Sequence, residues 1–274
     1  MRSLFFQATS ILTMVSSIAA VNVAGEINPS FQAMNATVRM HNDGRSGTAF
    51  LVNVPMGSGG EVSTLLVSAA HAFEGIKGEQ ATIVFRTSTD TGWERRDTSV
   101  RIRESEKPLW VRHPKADVAV MSCVVPDGVD CLPFPLDGIA TADDFNGHQI
   151  SVGRRVRVAC FPAQTESNSA GWPVLRTGFV ASHPLAPVAA LEQFFVDYGH
   201  FGGDSGAAIV VDDVDRLLVA GVVVAMQRQT DRVTSPFEEK TIHTPLGLAI
   251  VIPAPVLRET IEKWSKSAPP RNQN

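Results

Sequence analysis

Beyond Glu26 the chain is written in short apolar runs broken by turn residues. Val- and Ile-rich runs, many alternating with polar positions, occupy 36–39, 47–52, 63–68, 80–85, 98–102 and 118–124. A second series occupies 155–160, 174–182, 194–197, 207–211, 217–224 and 248–252. Gly, Asp, Asn and Pro punctuate between the runs, a pattern of strands joined by turns. Two groups of about six strands without long helices between them predict an all-β protein built from two antiparallel six-stranded barrels. The stretch 125–153 is rich in Pro, Asp and Gly and has no strong period. The barrels are thus expected at 25–130 and 154–253, with 131–153 as their connection. One helix stands out at 254–266, where Val256, Leu257, Ile261 and Trp264 recur at helical spacing. Pro253 and Pro255 sit at its start, where proline is tolerated, and 267–274 reads as a tail.

Composition narrows the function classes. A length of 274 residues at about 150 per domain agrees with two units. With 44% hydrophobic and 19% charged residues, the chain is neither a disordered polymer nor a disulfide-dense mini-protein. The 21 glycines and 17 prolines favour strands and turns over bundles. Lys+Arg number 24 and Asp+Glu 28, a net charge of -4. That balance, without a basic run, argues against nucleic acid as a partner.

The first 24 residues carry one charge, Arg2, then a mostly apolar stretch and small residues near Ala19, Ala20 and Ala24. This reads as a cleaved secretory signal, so the protein is expected outside the cytoplasm, secreted or periplasmic. Its polar interruptions make a poor membrane span, and no other stretch approaches the roughly 18 apolar residues a span needs. Cys123 and Cys131 flank a turn-rich segment and could bridge; three unpaired thiols, with Cys160, fit as well. Asn35-Ala36-Thr37 matches the glycosylation pattern.

Three positions carry candidate chemistry. Ser205 lies in GHFGGDSGAAIV, where glycines allow a sharp turn and let backbone N–H groups converge beside a hydroxyl. His71 follows an apolar run and two alanines, TLLVSAAH. Asp117 precedes the apolar run VAV in HPKADVAV, and a half-buried carboxylate there needs partners to keep its charge. Taken singly, each also fits a structural role: a satisfied turn serine, a core histidine, a capping aspartate.

Together, in the order His, Asp, Ser, with 46 residues from His71 to Asp117 and 88 from Asp117 to Ser205, these motifs resemble the chymotrypsin/trypsin-like serine peptidases. The run GTAFLV at 47–52 is similar to the strand before the histidine strand of that family. The segment 247–264 is similar to its last strand and terminal helix. The resemblance spans about residues 36–266. It is nearest to the compact bacterial peptidases, including the catalytic domain of the high-temperature-requirement proteases without its PDZ domain. It implies a chymotrypsin-like fold and a polypeptide substrate. Ser205 would be the nucleophile, His71 the base and Asp117 its orienting group. The N–H groups of Gly203 and Ser205 would form the oxyanion hole. It implies no cofactor and no metal.

The pocket departs from the family pattern. Gly199 falls where trypsin carries its specificity aspartate, so cleavage after Lys or Arg is not expected. Val224, Ala225 and Met226 replace a Ser-Trp-Gly wall, and Met226 would narrow the pocket toward a small or medium apolar side chain. His200 and His243 are the alternative, as readers of a polar or acidic one. No Ile-Val-Gly-Gly follows a basic residue near the N-terminus, yet Asp204 is present. An internal arginine, from Arg154, Arg155 or Arg157, is expected to pair with it. Two other functions compete. An α/β-hydrolase esterase would need a helix after Ser205, and AAIVV there is strand-like. A protease-fold binding protein without activity is the other, and the intact His-Asp-Ser set argues against it. Oligomeric state is not readable.

Overall fold

The computed structural model describes residues 28–57, 60–211, 217–235 and 237–267. The expected signal segment and the last seven residues lie outside them. The first half holds α1 (Pro29–Ala36), β1 (Thr37–Asn42), β2 (Arg45–Met56), β3 (Glu61–Ser68), α2 (Ala70–Gly75), β4 (Gln80–Thr89), β5 (Gly92–Arg101), β6 (Arg103–Glu104), β7 (Lys107–Pro108), β8 (Val111–Arg112), β9 (Ala119–Ser122) and β10 (Phe134–Pro135). The second holds α3 (Ala142–Asn146), β11 (Arg155–Cys160), β12 (Val174–Val180), β13 (Phe194–Asp197), β14 (Ala208–Val211), β15 (Leu218–Thr234), β16 (Glu239–Pro253) and α4 (Ala254–Ser267).

The second half is a closed six-stranded barrel in the order β11-β12-β13-β16-β15-β14, with α4 after its last strand. This is the barrel and helix that the apolar runs predict. The first half is an eight-stranded sheet, β5-β4-β1-β2-β3-β9-β8 with β10 added beside β2. Its pairing runs from β5 to β8 without closing. The extra strands are two-residue pairings at Val111–Arg112 and Phe134–Pro135, too short to carry a period.

The central strands explain how the two halves join. On β2, Phe50 and Val52 pack into the large core shared with the second barrel, while Ala49 and Leu51 fill a separate core of the first sheet. On β3, Leu65 and Val67 face one way and Leu66 the other. A strand buried on both faces reads as an unbroken apolar run, as AFLV and LLV do. The start of β2 and the end of β3 therefore lie at the seam between the halves.

Three local findings add to the sequence reading or decide between its alternatives. Helix α1 precedes β1, capped by the Asn28 side chain accepting from Ser30 N. Asn35, the residue of the glycosylation pattern, is buried, and its Nδ2 donates to Phe31 O at 2.9 Å. The nitrogen a glycan would need is enclosed and bonded. All three cysteines are free thiols, with Cys123 and Cys160 buried.

Candidate active site

His71 is the second residue of α2, immediately after β3. The first N–H groups of a helix have no partner within it, and α2 has no side-chain cap at Ala69. Asp117 supplies what is missing. Its backbone oxygen accepts from Ala70 N at 3.3 Å and its Oδ1 from His71 N at 2.9 Å. Its Oδ2 lies 2.5 Å from His71 Nδ1. One carboxylate thus caps the helix and fixes the ring. Ala69 and Ala70 are fully buried, and their small side chains let the helix start sit against the sheet.

The pair tunes itself. The side-chain hydrogen bond from Asp117 raises the His71 pKa above 6.5, against the opposing effect of burial. Burial alone would raise Asp117. The hydrogen bonds from the His71 ring and N–H, with the His71 and Arg112 charges, outweigh it and hold the carboxyl below its ordinary value. Asp117 is therefore a carboxylate that favours imidazolium beside it.

Ser205 lies in the loop between β13 and β14, and Thr48 at the seam holds that loop. Thr48 N donates to Ser205 O at 3.0 Å, and Thr48 Oγ1 donates to Gly203 O at 2.7 Å. The same Oγ1 accepts from Phe161 N at 3.1 Å, and Thr48 O accepts from Ser68 Oγ at 2.7 Å. Gly206 has φ +93, and a Cβ there would overlap the Thr48 carbonyl. Only glycine permits that close approach.

The loop's peptides are oriented for a negative charge. Gly202 O accepts from Ala163 N at 2.6 Å and Asp204 O from Ala207 N at 3.0 Å. In a trans peptide the N–H points opposite its carbonyl. Hence the N–H groups of Gly203 and Ser205 point away from those contacts, and neither donates to a protein acceptor among the described residues. Gly203 makes this turn at φ +99, packed so that a Cβ would overlap the Phe161 carbonyl.

The third link of the set is open. Ser205 Oγ donates to Val224 O at 3.2 Å, not to His71. Such bonds are commonly long or turned aside without substrate. Among the other expected pocket residues, Val224 is buried and Ala225 and Met226 half-buried on β15. His243 lies out on the β15–β16 hairpin, its Nδ1 2.9 Å from Thr230 Oγ1, away from the loop. His200 is buried at 4% exposure, with its ring against Tyr198 at a centroid distance of 6.0 Å. Burial and then the Arg176 and His71 charges lower its pKa to about 4, so it is neutral at pH 7. A cavity of about 650 Å³ opens beside Asp117 and Val224, walled by Leu191, Gln193, Ile252 and Val256.

The partner of Asp204 differs from the expected one. It is Arg176, whose Nη1 lies 3.4 Å from Asp204 Oδ2; Phe201 N also donates to Oδ2 at 2.9 Å. Strand parity explains the correction. On β11, Arg155 and Arg157 alternate with the buried Val156 and Val158 and face the other way. Arg176 on β12 pairs with Val158 and so shares its inward face. Burial raises the Asp204 carboxyl, against the Phe201 N–H, Cys160 and Arg176. Thr48 and Arg176 are the site residues that motif reading missed.

After Ser205 the chain enters β14, not a helix, which excludes the nucleophile elbow of an α/β-hydrolase. No protein-family model matches the chain, and no curated protein matches it. Among solved structures, neuropsin, a serine protease expressed in the limbic system of mouse brain, matches with a TM-score of 0.50 at 12% identity, covering 87% of this chain and 96% of that one. At that identity the likeness concerns architecture. The chain has the chymotrypsin-like fold of the trypsin-like serine proteases.

Proposed function

We propose that the protein is a serine endopeptidase that cleaves peptide bonds through an acyl-enzyme. The observation that carries the reading is the convergence of two half-sites. A carboxylate-oriented imidazole stands at the end of β3. A Gly-Gly-Asp-Ser-Gly loop with two undirected amides is pinned to the adjacent start of β2 by Thr48. The reaction on this reading requires the Ser205 hydroxyl to turn from Val224 O to His71 Nε2. Oγ attacks the scissile carbonyl as its proton passes to Nε2. The carbonyl oxygen takes the negative charge and the N–H groups of Gly203 and Ser205 hold it, worth about 3 kcal/mol per donor in such sites. Asp117 stabilises the imidazolium, which then protonates the leaving amine. Water, deprotonated by His71, repeats the sequence on the acyl carbon and frees Ser205.

The internal Arg176–Asp204 contact supports the compact bacterial type over the animal zymogen type, since the carboxylate has a cation from within the barrel. Such an enzyme would act after export, in a secreted or periplasmic setting. Turnover of casein and of short esters by wild type and Ser205→Ala tests the proposal. Casein cleavage lost in the variant is expected; ester turnover without peptide cleavage, or casein cleavage surviving in Ser205→Ala, would overturn it.

A further inference from the structure

Four of the eight buried side-chain polar atoms that lack a partner among the described residues lie within residues 198–204. They are Tyr198 Oη, both ring nitrogens of His200, and Asp204 Oδ1. Buried polar groups are almost always satisfied, so a concentration of orphans at one place points to something that binds there. Arg176 crosses the same neighbourhood. Its guanidinium stands 5.2 Å from the Tyr198 ring and 5.4 Å from the Phe201 ring, a stacking that fixes its plane. Of its five N–H donors, those engaged among the described residues meet the Cys160 thiol and, at 3.4 Å, Asp204 Oδ2. That distance is well beyond the roughly 2.7–2.9 Å of a strong charge-assisted bond. The side chain keeps 21% of its surface exposed.

Gly199 connects this arginine to the substrate. A Cβ built on Gly199 would meet Arg176 Nη2 at 3.0 Å. The guanidinium therefore occupies the space into which a side chain at 199 would project. Gly199 itself is exposed. With no side chain at this exposed position, nothing from residue 199 covers the partly exposed guanidinium.

We propose that Arg176 is a specificity-determining residue, reading an acidic side chain, Glu or Asp, on the residue whose carbonyl is attacked. The proposal rests on the peptidase reading. The carboxylate would take the Arg176 Nη2 and Nε donors, with a His200 ring N–H as second donor. Gly199 is the residue that leaves room for it. This replaces the apolar preference that Met226 alone would suggest.

The test is a set of peptides that differ only at that residue: Glu, its uncharged isostere Gln, Leu and Lys. Ser205 labelling by a fluorophosphonate is measured in parallel. Wild type is expected to favour Glu over Gln by about 100-fold in kcat/KM, since a site built for a charged group rejects the analogue lacking it. Arg176→Met should bring that ratio near one. Because Arg176 also touches Asp204, a second variant keeps the test sharp. Gly199→Asp keeps the Arg176 side chain and offers it a resident carboxylate, and the Glu-to-Gln ratio should again collapse. Labelling of wild type with a Leu or Lys preference would overturn this inference alone, as would a Glu preference that survives both variants. Absence of labelling and of turnover on every peptide would sink the peptidase reading and this inference with it.

Discussion

The two halves of the site solve different problems. The His71–Asp117 side is organised by one carboxylate that serves both helix and ring, bonding the His71 N–H and Nδ1. The Ser205 side is tightly held by its backbone, through Thr48, Ala163 and Ala207, with its hydroxyl turned to Val224 O and its loop amides unengaged. The amides of Gly203 and Ser205 have no protein acceptor among the described residues, and His200 and Asp204 keep orphan atoms. The difference suggests a division of labour. The first sheet stores a prepared proton acceptor. On the peptidase reading, the closed barrel stores prepared donors whose partners would arrive with the substrate.

Substitutions can break that comparison at each point. The largest effect is expected at Ser205, where Ser205→Ala should lower kcat by about 10⁴-fold or more. Asp117→Asn should come next, with a loss of about 10⁴-fold and a displaced acid limb of the pH–rate profile. The sign follows from the geometry. His71 must be neutral to accept a proton, and the Asp117 hydrogen bond raises its pKa above 6.5. Wild-type activity should therefore fall as pH drops through a value above 6.5. Removing the carboxylate should move that fall to lower pH. An unmoved limb would mean that another group sets it.

Gly203→Ala probes the donor side alone. A Cβ there overlaps Phe161 O and strains the positive-φ turn, so the amide shifts. A loss of about 10²–10³-fold in kcat, with an unchanged acid limb, is the expected signature. The smallest effect is on stability. Thr48→Val removes a half-buried donor to Gly203 O and a buried acceptor for Phe161 N. Thermal or denaturant unfolding should show a loss of about 2 kcal/mol. No change would mean the seam does not depend on that hydroxyl.

Much of this layout was legible in the sequence because it rests on period and motif. The runs at 155–160 and 194–197 coincide with β11 and β13, where one buried face imposes alternation. The positions of His71, Asp117 and Ser205 were readable because each chemistry needs particular neighbours. Other features leave no such trace. The β15–β16 hairpin runs on to Thr234 and Glu239, but it is exposed beyond Arg228, so no apolar alternation marks it. Helix α1 buries little beyond Ala33, Asn35 and Ala36, too small a stripe to register. Arg176 escaped notice because pairing to Asp204 depends on strand register, a property of two segments rather than one.

The central claim is that His71, held by Asp117, activates Ser205. Fluorophosphonate labelling followed by peptide mass mapping tests it most directly, on the wild type and on His71→Ala. The account predicts a single phosphonylated residue, Ser205, in the wild type and labelling slowed at least about 10³-fold in His71→Ala. Modification elsewhere, or equal labelling rates in the two proteins, would contradict it.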